Sequence, residues 1–204
     1  MPLDELRIYT VTPQGLEEYL RLAQDVAVPI RGDAYGSLLG FWTGEIGSVC
    51  RVFNLWRHTD LATRQQARAG LDRLDAWRND YVACVHPLMD EQEIRFMSPV
   101  APLRPPAGEV SAYEFRLIRT KVGKAAEIAA RLRDEPPDDD PAMSLAVWTT
   151  FAGRLNEVVQ LSAYPDLDRR IRSGGWRDFY NRHGASIART ESSLVAACPH
   201  SPLR

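Results

Sequence analysis

Cysteine is scarce: Cys50, Cys84 and Cys198 are the only three in 204 residues. They are odd in number, far apart and form no CxxC pair, which argues against a disulfide scaffold or a cysteine-built zinc site. The thiols fit a reducing compartment, where they act as small apolar residues. A surplus of one charge is also lacking. The formal net charge of −2 gives no general pull toward nucleic acid or an anionic membrane. No window reaches the ~18 uninterrupted apolar residues of a membrane-spanning helix. The opening "MPLDELRIYT" has neither a basic segment nor a long apolar one, so no secretory leader is expected and the expected location is the cytoplasm. The four histidines, His58, His86, His183 and His200, show no HxH or HExxH spacing, and there is no Walker loop, no GxGxxG after a strand and no GxSxG. Neither a metal nor a cofactor is expected. The arginines of "RQQARAGLDRLDAWR" are interleaved with aspartates at helical spacing, which reads as a solvated helix face.

What the sequence does have is a phrase written twice. "LLGFWTGEIG" (38–47) and "SLAVWTTFAG" (144–153) each carry an apolar run, a Trp-Thr pair and a glycine five residues after the tryptophan. Around them the pattern continues. "ELRIYTVT" alternates as a strand, and Leu16, Tyr19, Leu20 and Ala23 form the stripe of an amphipathic helix. Strands follow at 38–45 and 49–57, joined at Gly47-Ser48, where glycine accepts positive φ. One long helix is expected from about Asp60 to Val85, with Leu71, Leu74, Trp77 and Tyr81 on one face, and "EQEIRFM" closes the unit.

The second half answers in the same order. "YEFRLIRT" matches the first strand, pairing Glu114 with Glu5 and Arg116 with Arg7. Ala125, Ile128, Ala129 and Leu132 repeat the helix stripe. "EVVQLSAYPDL" places Gln160 on Asn54 and Ser162 on Trp56. Trp176 and Tyr180 match Trp77 and Tyr81, and "RTESSLV" puts Glu191 on Glu93. Each half thus reads β-α-β-β-α-β, a ferredoxin-like unit. The expected organisation is α+β with tandem repeats at 1–100 and 111–204, joined by a proline-rich linker at 101–110.

Alternation divides each sheet into two faces. Leu6, Ile8, Phe53, Leu55, Ile94 and Phe96 form an apolar set expected under the helices. Arg7, Tyr9, Asn54, Trp56, Glu93 and Arg95 form the opposite set, while Trp42 has no clear parity. An open face bearing Trp and Tyr invites association, so a second sheet is expected to cover it. Two four-stranded antiparallel sheets packed face to face make an eight-stranded barrel, about large enough for side chains or one small ligand.

The first strands "ELR" and "YEFR", the phrase "LLGFWTGEIG" with the following "NLW", the helix start "DLATRQQAR" and the closing "QE" and "TES" strands together resemble the NIPSNAP family across almost the whole chain. The resemblance implies two tandem NIPSNAP domains of the dimeric α+β-barrel superfamily, closing a barrel within one chain or between two chains as a homodimer. It carries over no catalytic residues. The wider superfamily includes cofactor-independent monooxygenases, cyclases and isomerases, an analogy of fold alone.

Candidate site residues come from the strand face and from where the halves differ. Arg7, Tyr9, Trp42, Asn54, Trp56, Glu93 and Arg95 are candidates for substrate binding. With Arg116 and Glu191, the charged ones would orient an anionic or enolisable substrate, or else form ion pairs that hold two sheets in register. "VPIRGDAYGS" has no counterpart in the second half, which instead carries "DEPPDDDPAM", read as a solvated acidic loop. Asp33 or His58 would act as general base and Tyr35 or Arg31 would stabilise an oxyanion, unless the segment is an ordinary surface loop. The expected partner is a small, largely apolar molecule, with neither nucleic acid nor membrane. The expected chemistry is cofactor-free isomerisation, cyclisation or oxygenation of the kind used in biosynthesis; the alternative is a non-enzymatic protein-interaction module.

Overall fold

In the computed structural model, which describes residues 2–47, 49–137, 143–172 and 174–204, the alternating stretches become strands that are covered on both faces. The first half runs β1 (Leu3–Val11), α1 (Leu16–Leu22), α2 (Val28–Arg31), β2 (Ser37–Ile46), β3 (Arg51–His58), α3 (Leu61–Leu71), α4 (Ala83–Val85) and β4 (Met89–Ala101). A wide helical turn, Ala23–Ala27, joins α1 to α2, and a second, Trp77–Val82, leads into α4. The second half runs β5 (Ala112–Thr120), α5 (Ala125–Asp134), β6 (Met143–Ala152), β7 (Glu157–Tyr164), α6 (Leu167–Arg172), α7 (Gly175–His183) and β8 (Ile187–Ala197).

The eight strands close into one antiparallel barrel in the order β1-β3-β2-β8-β5-β7-β6-β4. Its two seams between halves are β2 with β8 and β4 with β6. Strand β4 runs past the expected "EQEIRFM" to Ala101 and brings Pro99 opposite Trp148. Gly47 (φ 89°) and Gly153 (φ 97°) occupy matching places after β2 and β6 in a conformation that glycine adopts freely. Ser48 and half of the acidic stretch "DEPPDDDPAM" (138–142) lie outside the described residues. No helix among the described residues is long and apolar enough to cross a membrane.

The single helix expected over 60–85 is interrupted. Asp60 caps α3, its side chain accepting from the Thr63 backbone N–H at 2.7 Å. The helix stops at Leu71, after Gly70 and before Asp72 and Asp75, residues that favour helix poorly. The chain resumes helical form at Trp77.

The largest correction concerns the faces. Leu6, Ile8, Phe53 and Leu55 do not lie under helices; they fill the barrel with Trp42, Phe115, Trp148 and Leu161. The Phe53 and Phe115 rings stack with centroids 5.1 Å apart, and Trp42 meets Phe115 edge-on at 5.1 Å. Arg7, Tyr9, Asn54 and Trp56 turn outward, beneath the first half's helices. Strand β4 has the opposite parity from that expected. Glu93 and Arg95 register with Ile8 and Leu6 and share the barrel side, while Ile94 and Phe96 register with Arg7 and Glu5. Alternation sorts residues into two sets, but where both faces are covered it leaves open which set faces inward. A closed barrel favours the more apolar set, because its interior offers few polar partners.

Charges inside the barrel lie where they join the halves. Arg95 Nε donates to Glu157 Oε1 at 2.6 Å, and Arg95 also reaches Glu93 at 3.1 Å. Asp4 accepts twice from Arg57, at 2.7 and 2.8 Å, and from the indole of Trp148 at 2.8 Å. Of these, the Arg95–Glu157 pair crosses between the halves, whereas Glu93 and Arg95 are neighbours on one strand.

Candidate functional site

Between the outer face of β1 and β3 and the helices of the first half lies a cavity of about 80 Å³, several times what one water needs. Its floor is Arg7, Tyr9, Asn54 and Trp56 from the strands, with Phe41 from β2. Tyr19, Ala23 and Ala27 come from the first helical stretch and Arg68 from α3. Trp77, Tyr81 and Val85 complete the apolar wall. His86 and Gln92, both exposed, mark the side that meets solvent.

The polar side chains of the floor are held in a chain of contacts. Arg7 donates to Glu5 at 2.5 Å and to the Tyr9 hydroxyl at 2.7 Å. Glu5, buried, also accepts from Arg64 at 2.9 and 3.1 Å, with His58 Nε2 at 3.6 Å. Burial alone would raise the Glu5 carboxyl, but Arg64 and Arg7 overcome it and hold the group at about 2. Burial likewise pushes the Tyr81 hydroxyl up to about 12 and that of Tyr19 well above its usual value. Burial lowers His58, with Glu5 opposing the shift.

Arg31 differs from Arg7. Its guanidinium lies 3.3 Å from the centre of the Trp56 ring and donates to the Tyr35 carbonyl at 2.8 Å. It makes no ion pair among the described residues. Burial, with Arg7 and Arg68 as like-charged neighbours, lowers it to about 9. Arg68 is lowered for the same reasons, burial first and Arg7 next. Among the described residues no carboxylate lines the cavity.

Of the expected substrate-binding residues, the structure gathers Arg7, Tyr9, Asn54 and Trp56 around the cavity. Trp42 lies in the barrel interior, and Glu93 and Arg95 lie on the barrel side of β4. The four residues considered for catalysis divide. Arg31 enters the cavity, while Asp33, Tyr35 and His58 line a separate surface cleft with Arg57 and Thr63. His58 sits against Gly36, where a Cβ would come within 2.4 Å of the imidazole.

Arg64, Arg68, Trp77 and Tyr81 were not among the sequence candidates. The solvated-face reading of "RQQARAGLDRLDAWR" fails for Arg64 and Arg68, which turn inward because Glu5 and the cavity lie beneath them. The repetition carried a usable signal: Arg170 holds Glu114 at 2.8 Å, as Arg64 holds Glu5, and both pairs stand at matching positions in the two halves. In the second half Trp176 closes on the strand face instead, with the Arg116 guanidinium 3.3 Å from its ring centre.

The NIPSNAP family model matches residues 4–103. Human Protein NipSnap homolog 3A is 29% identical over 125 residues, covering 60% of this chain and 49% of that protein. The match thus spans about half the length of the curated relative. Among solved structures, a monooxygenase candidate from Fusobacterium nucleatum has a TM-score of 0.70 at 12% identity, over 96% of this chain and 92% of its own. An anthrone oxidase-like protein has a TM-score of 0.69 at 10% identity, over 98% and 93%. At such identities the likeness is one of fold.

Proposed function

We propose, for a chain that belongs to the NIPSNAP family through residues 4–103, that its first half binds a small, largely apolar molecule between sheet and helices. The observation that carries this reading is the aromatic-walled cavity over Arg7, Asn54 and Trp56. Such a space with a few convergent polar groups is the ordinary form of a small-molecule site. In this reading the second half is a diverged second NIPSNAP domain, whose Trp176 covers the corresponding arginine and whose sheet completes the barrel.

Any chemistry at the site would be cofactor-free isomerisation, cyclisation or oxygenation. The two fold relatives are described as a monooxygenase candidate and as anthrone oxidase-like, and their fold lends such chemistry a precedent without transferring it. With no carboxylate among the described residues of its lining, the cavity is better suited to stabilising negative charge on a bound molecule than to removing a proton. Asp33 and His58 could take part as bases only from the neighbouring cleft.

Trp56 and Trp77 both line the cavity, so an occupant should change their emission. Titration with a panel of apolar acids and phenols, read by tryptophan fluorescence and melting temperature, is the test. A panel that moves neither signal would remove this reading. It would favour the interaction module, for which the exposed apolar residues at each glycine turn, Ile46 with Val49 and Phe151 with Leu155, would be two separate surfaces.

A further inference from the structure

Around the cavity the charges do not balance. Four guanidiniums, those of Arg7, Arg31, Arg64 and Arg68, gather near it, and of these Arg7 and Arg64 contact the carboxylate of Glu5. Glu5 is already engaged with Arg7 and Arg64, which leaves Arg31 without an ion pair among the described residues, while Arg68 has Asp72 as an acidic neighbour. Arg31 is buried, so solvent screens its charge poorly.

The hydrogen-bond inventory leans the same way. Three residues lining the cavity leave a buried polar atom without a partner: Arg31 through Nε, Asn54 through Nδ2 and Trp77 through Nε1. All three are N–H donors, and no lining residue leaves a buried acceptor unpartnered. Buried donors in native proteins are nearly always satisfied, by protein or by water, so a molecule matched to this lining is one that supplies acceptors. The Trp56 ring beneath Arg31, with Trp77 and Tyr81 beside it, provides flat apolar surface for the rest of the molecule.

We infer that the occupant is an organic anion with a flat apolar body, an aryl carboxylate or phenolate, whose oxygens accept from Arg31, Asn54 and Trp77. The inference rests on the pocket reading above and adds the charge of the ligand to it. The second half supplies the contrast: Arg116, ion-paired with Glu114 as Arg7 is with Glu5, is covered by the Trp176 ring.

The test compares benzoate, benzyl alcohol and benzylamine on the full chain at constant ionic strength, by calorimetry and tryptophan fluorescence. Benzoate should bind at least about ten-fold more tightly than benzyl alcohol, a factor worth about 1.4 kcal/mol, and benzylamine more weakly than either. Arg31→Gln should abolish the preference for benzoate over benzyl alcohol. Arg131→Gln, which removes an exposed charge on α5, should change neither.

A second readout keeps the inference testable if Arg31→Gln does not fold. Nitrophenol bound to the unaltered protein should ionise at a lower pH than free nitrophenol, seen as early growth of the phenolate absorbance band. Benzoate and nitrophenol together separate the carboxylate and phenolate cases. Equal binding of benzoate and benzyl alcohol, with no shift in nitrophenol ionisation, would overturn the anion and leave the pocket. A preference for benzoate that survives in Arg31→Gln would overturn the assignment to this site. No binding by any probe would sink the pocket and the anion together.

Discussion

The guanidinium of Arg31 stacks on Trp56, 3.3 Å from the ring centre, while the indole N–H of Trp56 donates to Asn54 Oδ1 at 2.7 Å. One tryptophan therefore supports a buried cation through its face and fixes a floor residue through its edge. Trp56→Leu should cost about 3 kcal/mol or more, at the low end for truncation of a buried tryptophan because some apolar volume remains. Urea unfolding measures this, and a loss under 1 kcal/mol would mean that Arg31 does not depend on the stack.

Glu5 and Glu114 are each buried and held at about 2, against an ordinary 4.5. Burial raises both, but hydrogen bonds and charges from Arg64 and Arg7, or from Arg170 and Arg116, outweigh it. The unfolded chain takes up these protons first, so their contribution is complete above pH 4.5 and disappears as pH falls toward 2. Each carboxylate is worth roughly 3 kcal/mol at neutral pH. Urea midpoints measured from pH 7 to 3 should fall steeply below pH 4.5, and less steeply in Glu5→Gln or Glu114→Gln. An unchanged acid slope in both variants would reject the assignment.

Gly40 makes room for Trp42. A Cβ at Gly40 would lie 2.0 Å from the far edge of the indole, which is fully buried in the barrel. Gly40→Ala should destabilise by about 2–3 kcal/mol through overpacking. Trp42→Leu frees that space, so the double variant should lose less than the sum of the two single changes. Strict additivity would show that the ring does not constrain position 40.

The Arg95–Glu157 pair crosses between halves with both side chains nearly inaccessible, at 4% and 3% exposure. Glu157→Gln should cost about 3 kcal/mol or more, because it leaves a buried guanidinium poorly compensated. Adding Arg95→Met removes that charge, and the pair of changes should be milder than Glu157→Gln alone. A double variant weaker than the single one would show that the ion pair itself holds the halves together.

The strands and glycine turns were legible because period-two alternation and positive φ leave local marks, as at Leu6–Ile8 and at Gly47. The inward side was not. Arg7 and Leu6 are each buried, one under helices and the other in the barrel, so polarity at a single position does not distinguish two covered faces. Arg64 was read as solvated because its partner, Glu5, stands 59 residues away in the chain. The break after Leu71 was hidden by a stripe whose apolar spacing continues through Leu74 and Trp77. Arg31 was legible as a departure from the repetition, but its place beside Trp56 depends on how α2 ends, which the spacing does not encode.

The ring of strands also bears on what the molecule avoids. With β2 joined to β8 and β4 to β6, every strand has a neighbour on each side. The seams pair only part of each strand, β6 meeting β4 from Phe96 onward and β2 meeting β8 from Leu194 onward. Among the described residues the backbone open to strand addition, the usual first step toward fibrils, therefore includes the stretches Met89–Arg95 and Ile187–Ser193, whose charged side chains oppose it.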